Sequence, residues 1–156
     1  MKGRIDRIDL TKDGKRARVR DYKTGKVLAK PNDFQGGTTL QLPLYLHAAE
    51  QLLGRLHNGI QVESAEYYSL KNGKRVGFEG SELKAKETKL HEILKTIVAS
   101  IEDGIFIAVP GGQCGYCELK IICGTWTEIL FGRKAKDPRV KRYLEMLEEE
   151  AEESAE

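Results

Sequence analysis

The chain has 156 residues, 40% of them hydrophobic, which suffices for one sizeable core and fits the usual length of a single domain. It contains no stretch of 18 uncharged apolar residues, and residues 1 to 3 lead into a polar segment rather than an apolar signal region. These features argue against a membrane-spanning or secreted protein, and we expect a soluble, cytoplasmic one.

The formal net charge of +2 is unevenly distributed. Seven of the last twelve residues are Glu and none is Lys or Arg, so residues 1 to 144 carry +9, seven more than the whole chain. Residues 1 to 30 hold eleven Lys or Arg against four Asp, a positive field that suits a polyanion such as nucleic acid. A solvated Lys-rich surface is the alternative. We predict a domain over residues 1 to 144 and an acidic tail over 145 to 156.

The first predicted element is a β-hairpin. Residues 3 to 10 and 16 to 23 alternate partly in polarity and flank Asp13-Gly14. This dipeptide is typical of a two-residue turn in which both residues have positive φ.

A helix is predicted next. Residues 24 to 38 lack periodicity, whereas Leu40 to Leu53 place Leu, Ala and Tyr at helical spacing. Thr38 and Thr39 are candidate N-caps, and Pro43 is tolerable because it falls near the first turn.

A second hairpin and a long helix follow. Residues 62 to 70 and 75 to 78 flank Asn72-Gly73, which is a strong turn signal. From Glu82 to Asp103 the apolar residues recur with a period near 3.6, which predicts one amphipathic helix ended by Gly104. Residues 105 to 124 are expected to form a loop region and residues from about 138 a last helix. The order of elements predicts an α/β fold and leaves the order of strands open.

The register of the first hairpin brings acidic residues together. If the turn is centred between Asp13 and Gly14, the numbers of paired residues sum to 27, so Asp6 faces Asp21. Cβ atoms of such pairs lie roughly 4.5–5.5 Å apart, and two like charges there are unfavourable unless a cation or proton lies between them. Lys23 projects from the same face as Asp21.

Two carboxylates and one Lys around a point are suited to Mg²⁺ or Mn²⁺, which prefer oxygen ligands. A cation there could activate water for attack on a phosphodiester, with Lys23 orienting the water or stabilising transition-state charge. A solvated, electrostatically poor hairpin is the alternative. Asp9 lies on the other face of the hairpin, where it pairs with Arg18, and is interpreted as a structural ion-pair partner.

Three motifs together are typical of a known protein family: Gly3-Arg4-Ile5-Asp6-Arg7-Ile8-Asp9, then Asp21-Tyr22-Lys23-Thr24-Gly25, then Gln41-Leu42-Pro43-Leu44-Tyr45. In this order they resemble the PD-(D/E)XK nuclease superfamily, in its RecB and AddB-like branch. The resemblance implies a restriction-endonuclease-like mixed central sheet flanked by helices, with N-terminal elements missing. It also implies a metal set of Asp6, Asp21 and Tyr22, a catalytic Lys23, and Gln41 and Tyr45 supporting the site and contacting the DNA backbone.

The cysteines extend the resemblance. Cys114, Cys117 and Cys123 form a C-x-x-C-x₅-C pattern, which in this branch belongs to a 4Fe-4S cluster. A cubane normally takes four cysteinyl ligands, and this chain has three Cys. The resemblance places the fourth ligand, and a helix bearing a further metal ligand, before the first catalytic strand. We therefore expect a fragment, a split protein or a decayed homologue. Zn²⁺ with His57 or His91 as the fourth ligand is an alternative.

The expected function is that of a Mg²⁺- or Mn²⁺-dependent DNA nuclease of exonuclease type. The resemblance implies a role in DNA recombination or repair, with a helicase or an N-terminal segment or partner chain beside it, and the isolated chain could be inactive. Two other classes stay open: a non-catalytic nucleic-acid-binding module and a zinc-binding interaction domain.

Overall fold

The computed structural model describes residues 3–25 and 34–153, apart from the side chains of residues 148–153. Two compact units divide the chain, Met1–Leu90 and His91–Glu156. Within the described residues no helix is long and apolar enough to cross a membrane. In chain order the strands and α-helices are β1 (Arg7–Leu10), β2 (Arg16–Lys23), α1 (Gln41–Gly54), β3 (Gln61–Ser69), β4 (Arg75–Glu79), α2 (Gly80–Ala85), α3 (Glu87–Glu102), α4 (Lys120–Cys123), α5 (Thr127–Lys134) and α6 (Lys141–Glu153).

The four strands form one mixed sheet in the order β1-β2-β3-β4. β1 and β2 are antiparallel, β2 and β3 are parallel, and β3 and β4 are antiparallel. A parallel pair needs a crossover connection, and α1 lies in the crossover between β2 and β3. The predicted α/β class and the mixed sheet flanked by helices are confirmed.

The first hairpin has the predicted register and a different turn. Arg7 pairs with Arg20 and Asp9 with Arg18, so paired numbers sum to 27. The connection is wider than two residues: the Thr11 amide donates to the Arg16 carbonyl at 3.0 Å. Of the two central residues only Gly14 has a positive φ, 66°, so the predicted turn type was wrong. The register survives because the extra residues are added symmetrically about Asp13-Gly14.

The second hairpin forms at the predicted turn. The Ser69 amide donates to the Lys74 carbonyl at 2.9 Å, and Gly73 has a φ of +68°. Further along β4, a Cβ added at Gly77 would lie 2.1 Å from the Ala65 carbonyl oxygen. Only glycine fits there.

The helices differ from prediction in two places. The single helix expected over residues 82 to 103 is divided into α2 and α3 at Lys86, where φ is −102° and ψ is 10°. The apolar period did not reveal this break because one residue leaving helical angles barely disturbs it. At α1 the N-cap is Leu40, without a side-chain cap, and Thr38 instead donates its hydroxyl to the Gln35 carbonyl. Gly104 follows the end of α3 as predicted, with a φ of +67°.

The segment expected to be a loop over residues 105 to 124 contains short helical pieces. A 3-10 turn covers Gly112–Tyr116, and α4 follows it. α5 was not predicted, whereas the last helix begins as expected with a 3-10 turn at Pro138 that continues into α6.

The core of the first unit determines how α1 is rotated. Three of its residues, Leu42, Leu46 and Ala49, are at most 2% exposed and recur at helical spacing. Burying each large apolar side chain contributes roughly 1.5–3 kcal/mol. Because this stripe faces inward, the neighbouring positions Gln41 and Tyr45 fall on the flank of the helix nearest β2 and β3. The packing of the core therefore positions Gln41 and Tyr45.

Candidate active site

Asp21 and Lys23 lie near the end of β2 and on the same face of the strand. The Asp21 side chain is buried, with 4% of the residue exposed. Its Oδ2 lies 2.7 Å from the Lys23 Nζ in an ion pair, and Oδ2 has no hydrogen-bond partner among the described residues. A buried carboxylate oxygen therefore keeps unused acceptor capacity beside a positive charge.

Asp6 lies one residue before β1 and is exposed. Its Oδ2 accepts a hydrogen bond from the Tyr22 amide at 3.0 Å, so the hairpin holds this carboxylate against the backbone that links Asp21 to Lys23. The ladder ends at the Arg7–Arg20 pair, and Asp6 lies just beyond it. The site thus combines one exposed and one buried carboxylate.

The side chain of Tyr22 points away from these groups. Its hydroxyl accepts a hydrogen bond from Arg7 Nη1 at 3.2 Å, and its ring meets the Tyr68 ring edge-on at 5.9 Å. Strand alternation places both contacts on the opposite face of the sheet from Asp21. Any contribution of Tyr22 to a metal would therefore come from its main chain.

Gln41 is the centre of the hydrogen-bond network. Its Nε2 donates to Asp21 Oδ1 at 3.0 Å and to the Tyr45 hydroxyl at 3.2 Å. Its Oε1 accepts from Lys23 Nζ at 3.0 Å and from the Tyr67 hydroxyl at 3.3 Å. The first residue of α1 therefore connects Asp21 and Lys23 to the helix, and Gln41 contacts three of the other predicted residues.

Tyr45 lies one turn after Gln41 on α1, as its spacing predicts. A Cβ added at Gly3 would lie 3.4 Å from its Cε1. The glycine that begins the first motif therefore lies close to the ring that ends the third. The three motifs converge on one place in the first unit.

Tyr67 also belongs to this group and was not predicted. It pairs with Asp21 in the parallel ladder, and the Lys23 Nζ lies over its ring, 4.6 Å from the centroid. Burial, and then the charges of Asp21 and Tyr45, raise the pKa of Tyr67. The strand over residues 62 to 70 was predicted, but its parallel pairing with β2 was not, and only that pairing reveals the contact.

The donor set fits a hard divalent cation. Asp6 and Asp21 supply carboxylate oxygens, and the Asp21 Oδ2 is buried without a hydrogen-bond partner among the described residues. Within the same part of the chain no group of three or more His, Cys, Asp or Glu could hold a metal ion. Mg²⁺ commonly binds to one or two carboxylates and keeps several waters, so a two-carboxylate site suits it better than Zn²⁺.

Asp9 lies on the opposite face, as expected, and takes different partners. It pairs with Arg7 at 2.6 Å and with Arg20 at 3.6 Å. Arg18, which faces it in the ladder, donates instead to Ser64 Oγ at 3.0 Å. The predicted ion-pair partner was therefore wrong, because facing positions on twisted strands bring long Arg side chains into contact with diagonal neighbours as well.

The three cysteines form no disulfide. Cys117 is exposed, and Cys114 and Cys123 are partly exposed. In the part of the chain that the structure describes, neither these thiols nor His57 and His91 belong to a group of three that could hold a metal. Three thiolates also do not fit a cluster that takes four cysteinyl ligands.

Comparison with known proteins agrees with the geometry. The model of the PD-(D/E)XK nuclease superfamily matches residues 1–124. A subunit of an ATP-dependent helicase/deoxyribonuclease from Symbiobacterium thermophilum is 41% identical over 71 residues, which are 44% of this chain and 6% of that relative. No solved structure matches. Because the family model spans most of the chain and includes every residue of the network, the chain belongs to the PD-(D/E)XK nuclease superfamily.

Proposed function

We propose that this chain carries the active site of a metal-dependent DNA nuclease that hydrolyses phosphodiesters. The observation that carries the proposal is the buried Asp21, whose Oδ2 lacks a hydrogen-bond partner among the described residues while Lys23 lies 2.7 Å away. A buried carboxylate costs free energy unless a cation or a hydrogen bond compensates it. Here the Lys23 ammonium and the Gln41 amide compensate Asp21. A divalent cation at Oδ2 would take over the role of Lys23, whose ammonium would then be available to the substrate.

The groups proposed to hold Mg²⁺ or Mn²⁺ are the carboxylates of Asp6 and Asp21 and the main-chain carbonyl of Tyr22. When bound, such an ion polarises phosphoryl oxygens and makes a water more acidic. The Tyr22 amide restrains Asp6 at 3.0 Å, and Gln41 restrains Asp21 at 3.0 Å. Both carboxylates are thus held in place before a metal arrives, which reduces the ordering cost of binding.

Lys23 is proposed to stabilise the negative charge that develops on the phosphoryl oxygens. Its ammonium has three donors, and Gln41 Oε1 accepts one of them at 3.0 Å. The side chain is 38% exposed, so DNA could reach it. Positive charge fixed before the reaction stabilises the transition state without reorganisation.

Tyr45 and Gln41 are proposed to line the path of the DNA backbone. The basic residues of the first hairpin would add affinity that does not depend on base sequence. The similarity to a helicase/deoxyribonuclease subunit supports DNA as the substrate and a helicase as partner. Exonuclease-type action and a role in recombination or repair are part of the same proposal. Cys114, Cys117 and Cys123 would bind a 4Fe-4S cluster or Zn²⁺ only together with a fourth ligand that is not one of these three residues.

The test is cleavage of end-labelled linear DNA by the full chain with and without Mg²⁺ or Mn²⁺. Asp6→Asn, Asp21→Asn and Lys23→Met should each abolish metal-dependent cleavage. Asp9→Asn is the matched control, since Asp9 lies on the same hairpin but on its other face, and this variant should cleave like the wild type.

Three results would contradict the proposal. The first is wild-type cleavage by a folded Asp21→Asn protein, and the second is equal loss in Asp9→Asn. The third is DNA binding that persists in EDTA without cleavage at any metal concentration, which would select the non-catalytic nucleic-acid-binding module. Zn²⁺ content without DNA affinity would select the interaction domain.

A further inference from the structure

Tyr67 reaches the site from a strand that contributes none of the three motifs. β3 lies parallel to β2, and their register pairs Asp21 with Tyr67 and Lys23 with Ser69. Paired residues in adjacent strands project from the same face of the sheet. Tyr67 therefore stands beside Asp21, on the face of the sheet that carries Gln41.

The hydroxyl of Tyr67 restrains the Gln41 carboxamide. It donates to Gln41 Oε1 at 3.3 Å, where Lys23 also donates at 3.0 Å. Asp21 can only accept and the Lys23 ammonium can only donate, so these two groups leave one favourable orientation of the amide. Rotation of the amide by 180° would point its oxygen at Asp21 and its nitrogen at the Lys23 ammonium. The Tyr67 hydroxyl, which can donate or accept, adds a further hydrogen bond that holds the amide in place.

The ring of Tyr67 confines the Lys23 ammonium. Nζ lies 4.6 Å from the ring centroid, within the range of a cation–π contact. With Asp21 Oδ2 at 2.7 Å and Gln41 Oε1 at 3.0 Å, the ring supplies a third side. A long Lys side chain loses substantial rotamer freedom when it is held, and these three contacts together compensate that loss.

We propose that Tyr67 is a positioning residue for this nuclease site: its hydroxyl restrains the Gln41 carboxamide and its ring holds Lys23 beside Asp21. The inference goes beyond the three motifs and rests on the proposed function for its catalytic consequence. Tyr67 acts through Gln41 and Lys23 and has no assigned contact with DNA or metal.

Two substitutions separate the two parts of the side chain. Tyr67→Phe removes the hydroxyl and keeps the ring, whereas Tyr67→Leu removes both. Tyr68→Phe and Tyr68→Leu are the matched controls, because Tyr68 is the next residue of β3 and its ring contacts Arg20 and Tyr22 on the other face of the sheet. All four proteins are made as the full chain, and circular dichroism verifies that each is folded.

The first readout is nuclear magnetic resonance of the metal-free protein, which does not depend on cleavage. The ring above Lys23 should move its ε-methylene proton signals upfield. This shift should persist in Tyr67→Phe and disappear in Tyr67→Leu, while the Gln41 side-chain amide signals should move in both. Neither Tyr68 variant should change these signals.

The second readout is steady-state cleavage kinetics. Loss of an interaction that supports only the transition state lowers kcat with little change in KM. We expect kcat to fall roughly three- to tenfold in Tyr67→Phe and about ten- to a hundredfold in Tyr67→Leu. A merely structural role would instead lower the thermal stability in parallel, and the substitution would not lower kcat selectively while leaving KM unchanged.

The proposal is overturned if Tyr67→Leu leaves the Lys23 signals or kcat at wild-type values, or if Tyr68→Leu changes them equally. Absence of cleavage by the wild-type chain would be a failure of the proposed function instead. In that case the Lys23 and Gln41 signals alone decide whether Tyr67 holds them.

Discussion

Gln41→Leu is the substitution whose effect on stability follows most directly from the geometry. Gln41 makes four hydrogen bonds, to Asp21, Tyr45, Lys23 and Tyr67. Leu has a similar volume and makes none of them. Asp21, which is 4% exposed, would lose the donor to Oδ1 and keep an Oδ2 that already lacks one among the described residues.

The magnitude follows from the value of these bonds. An ordinary hydrogen bond contributes about 0.5–1.5 kcal/mol, and a buried charged group left unsatisfied costs about 1–3 kcal/mol or more. The Lys23 ammonium stays beside Asp21, which limits the loss. We expect the free energy of unfolding of the first unit to fall by about 2–4 kcal/mol.

Hydrogen exchange of β2 and β3 amides is the appropriate assay, because it reports on the first unit by itself. Protection limited by global opening should fall by about 30- to 900-fold, since each 1.36 kcal/mol is a factor of about ten. Gln51→Leu is the control: this residue lies on the same helix but is exposed, and the change should stay within about 0.5 kcal/mol. Equal protection in Gln41→Leu and Gln51→Leu would show that the four hydrogen bonds of Gln41 do not stabilise the first unit.

Three further predictions concern other parts of the chain. Gly77→Ala should strongly destabilise the β3–β4 pair in a urea titration, because its Cβ would lie 2.1 Å from the Ala65 carbonyl oxygen. The control Gly54→Ala, whose Cβ would have nothing within 4 Å, should be neutral or slightly stabilising in that assay. Hydrogen bonds from Arg139 lower the pKa of Asp137 to about 2. The stability that Asp137 contributes is therefore present above pH 3.8 and is lost as the pH falls through about 2. Asp137→Asn should remove this dependence of stability on low pH, and a titration midpoint of the Asp137 carboxyl near the ordinary Asp value would contradict the prediction. If DNA binds mainly through its phosphates, as we propose, its affinity should fall steeply with salt concentration. A flat dependence in a filter-binding assay would count against an electrostatic interface.

The hairpin register was predictable from sequence although its turn was not. Any loop centred between Asp13 and Gly14 gives the same pairing, so an error in turn type did not move Asp6 or Asp21. Local spacing alone also placed Gln41 and Tyr45 one turn apart. The positions of the motif residues thus depended on short-range geometry, where sequence patterns are informative.

Contacts between distant segments were not predictable in this way. Tyr67 joins the site only because β3 pairs parallel to β2 in one register, and many registers are compatible with the alternation of β3. The partners of Asp9 likewise depend on how long Arg side chains cross between strands. The division of the long helix at Lys86 involves one residue, which an apolar period of 3.6 does not detect.

Titration of Mn²⁺ into the isotopically labelled full chain shows whether Asp6, Asp21 and the main-chain carbonyl of Tyr22 hold a divalent cation, as we propose. Bound Mn²⁺ broadens nearby amide signals. We predict that the signals of Asp6, Asp21 and Tyr22 broaden first, that excess Mg²⁺ restores them, and that Asp21→Asn prevents the effect whereas Asp9→Asn does not. Broadening confined to the Glu-rich C-terminal residues, or equal broadening in Asp21→Asn, would show that these three residues do not hold the ion.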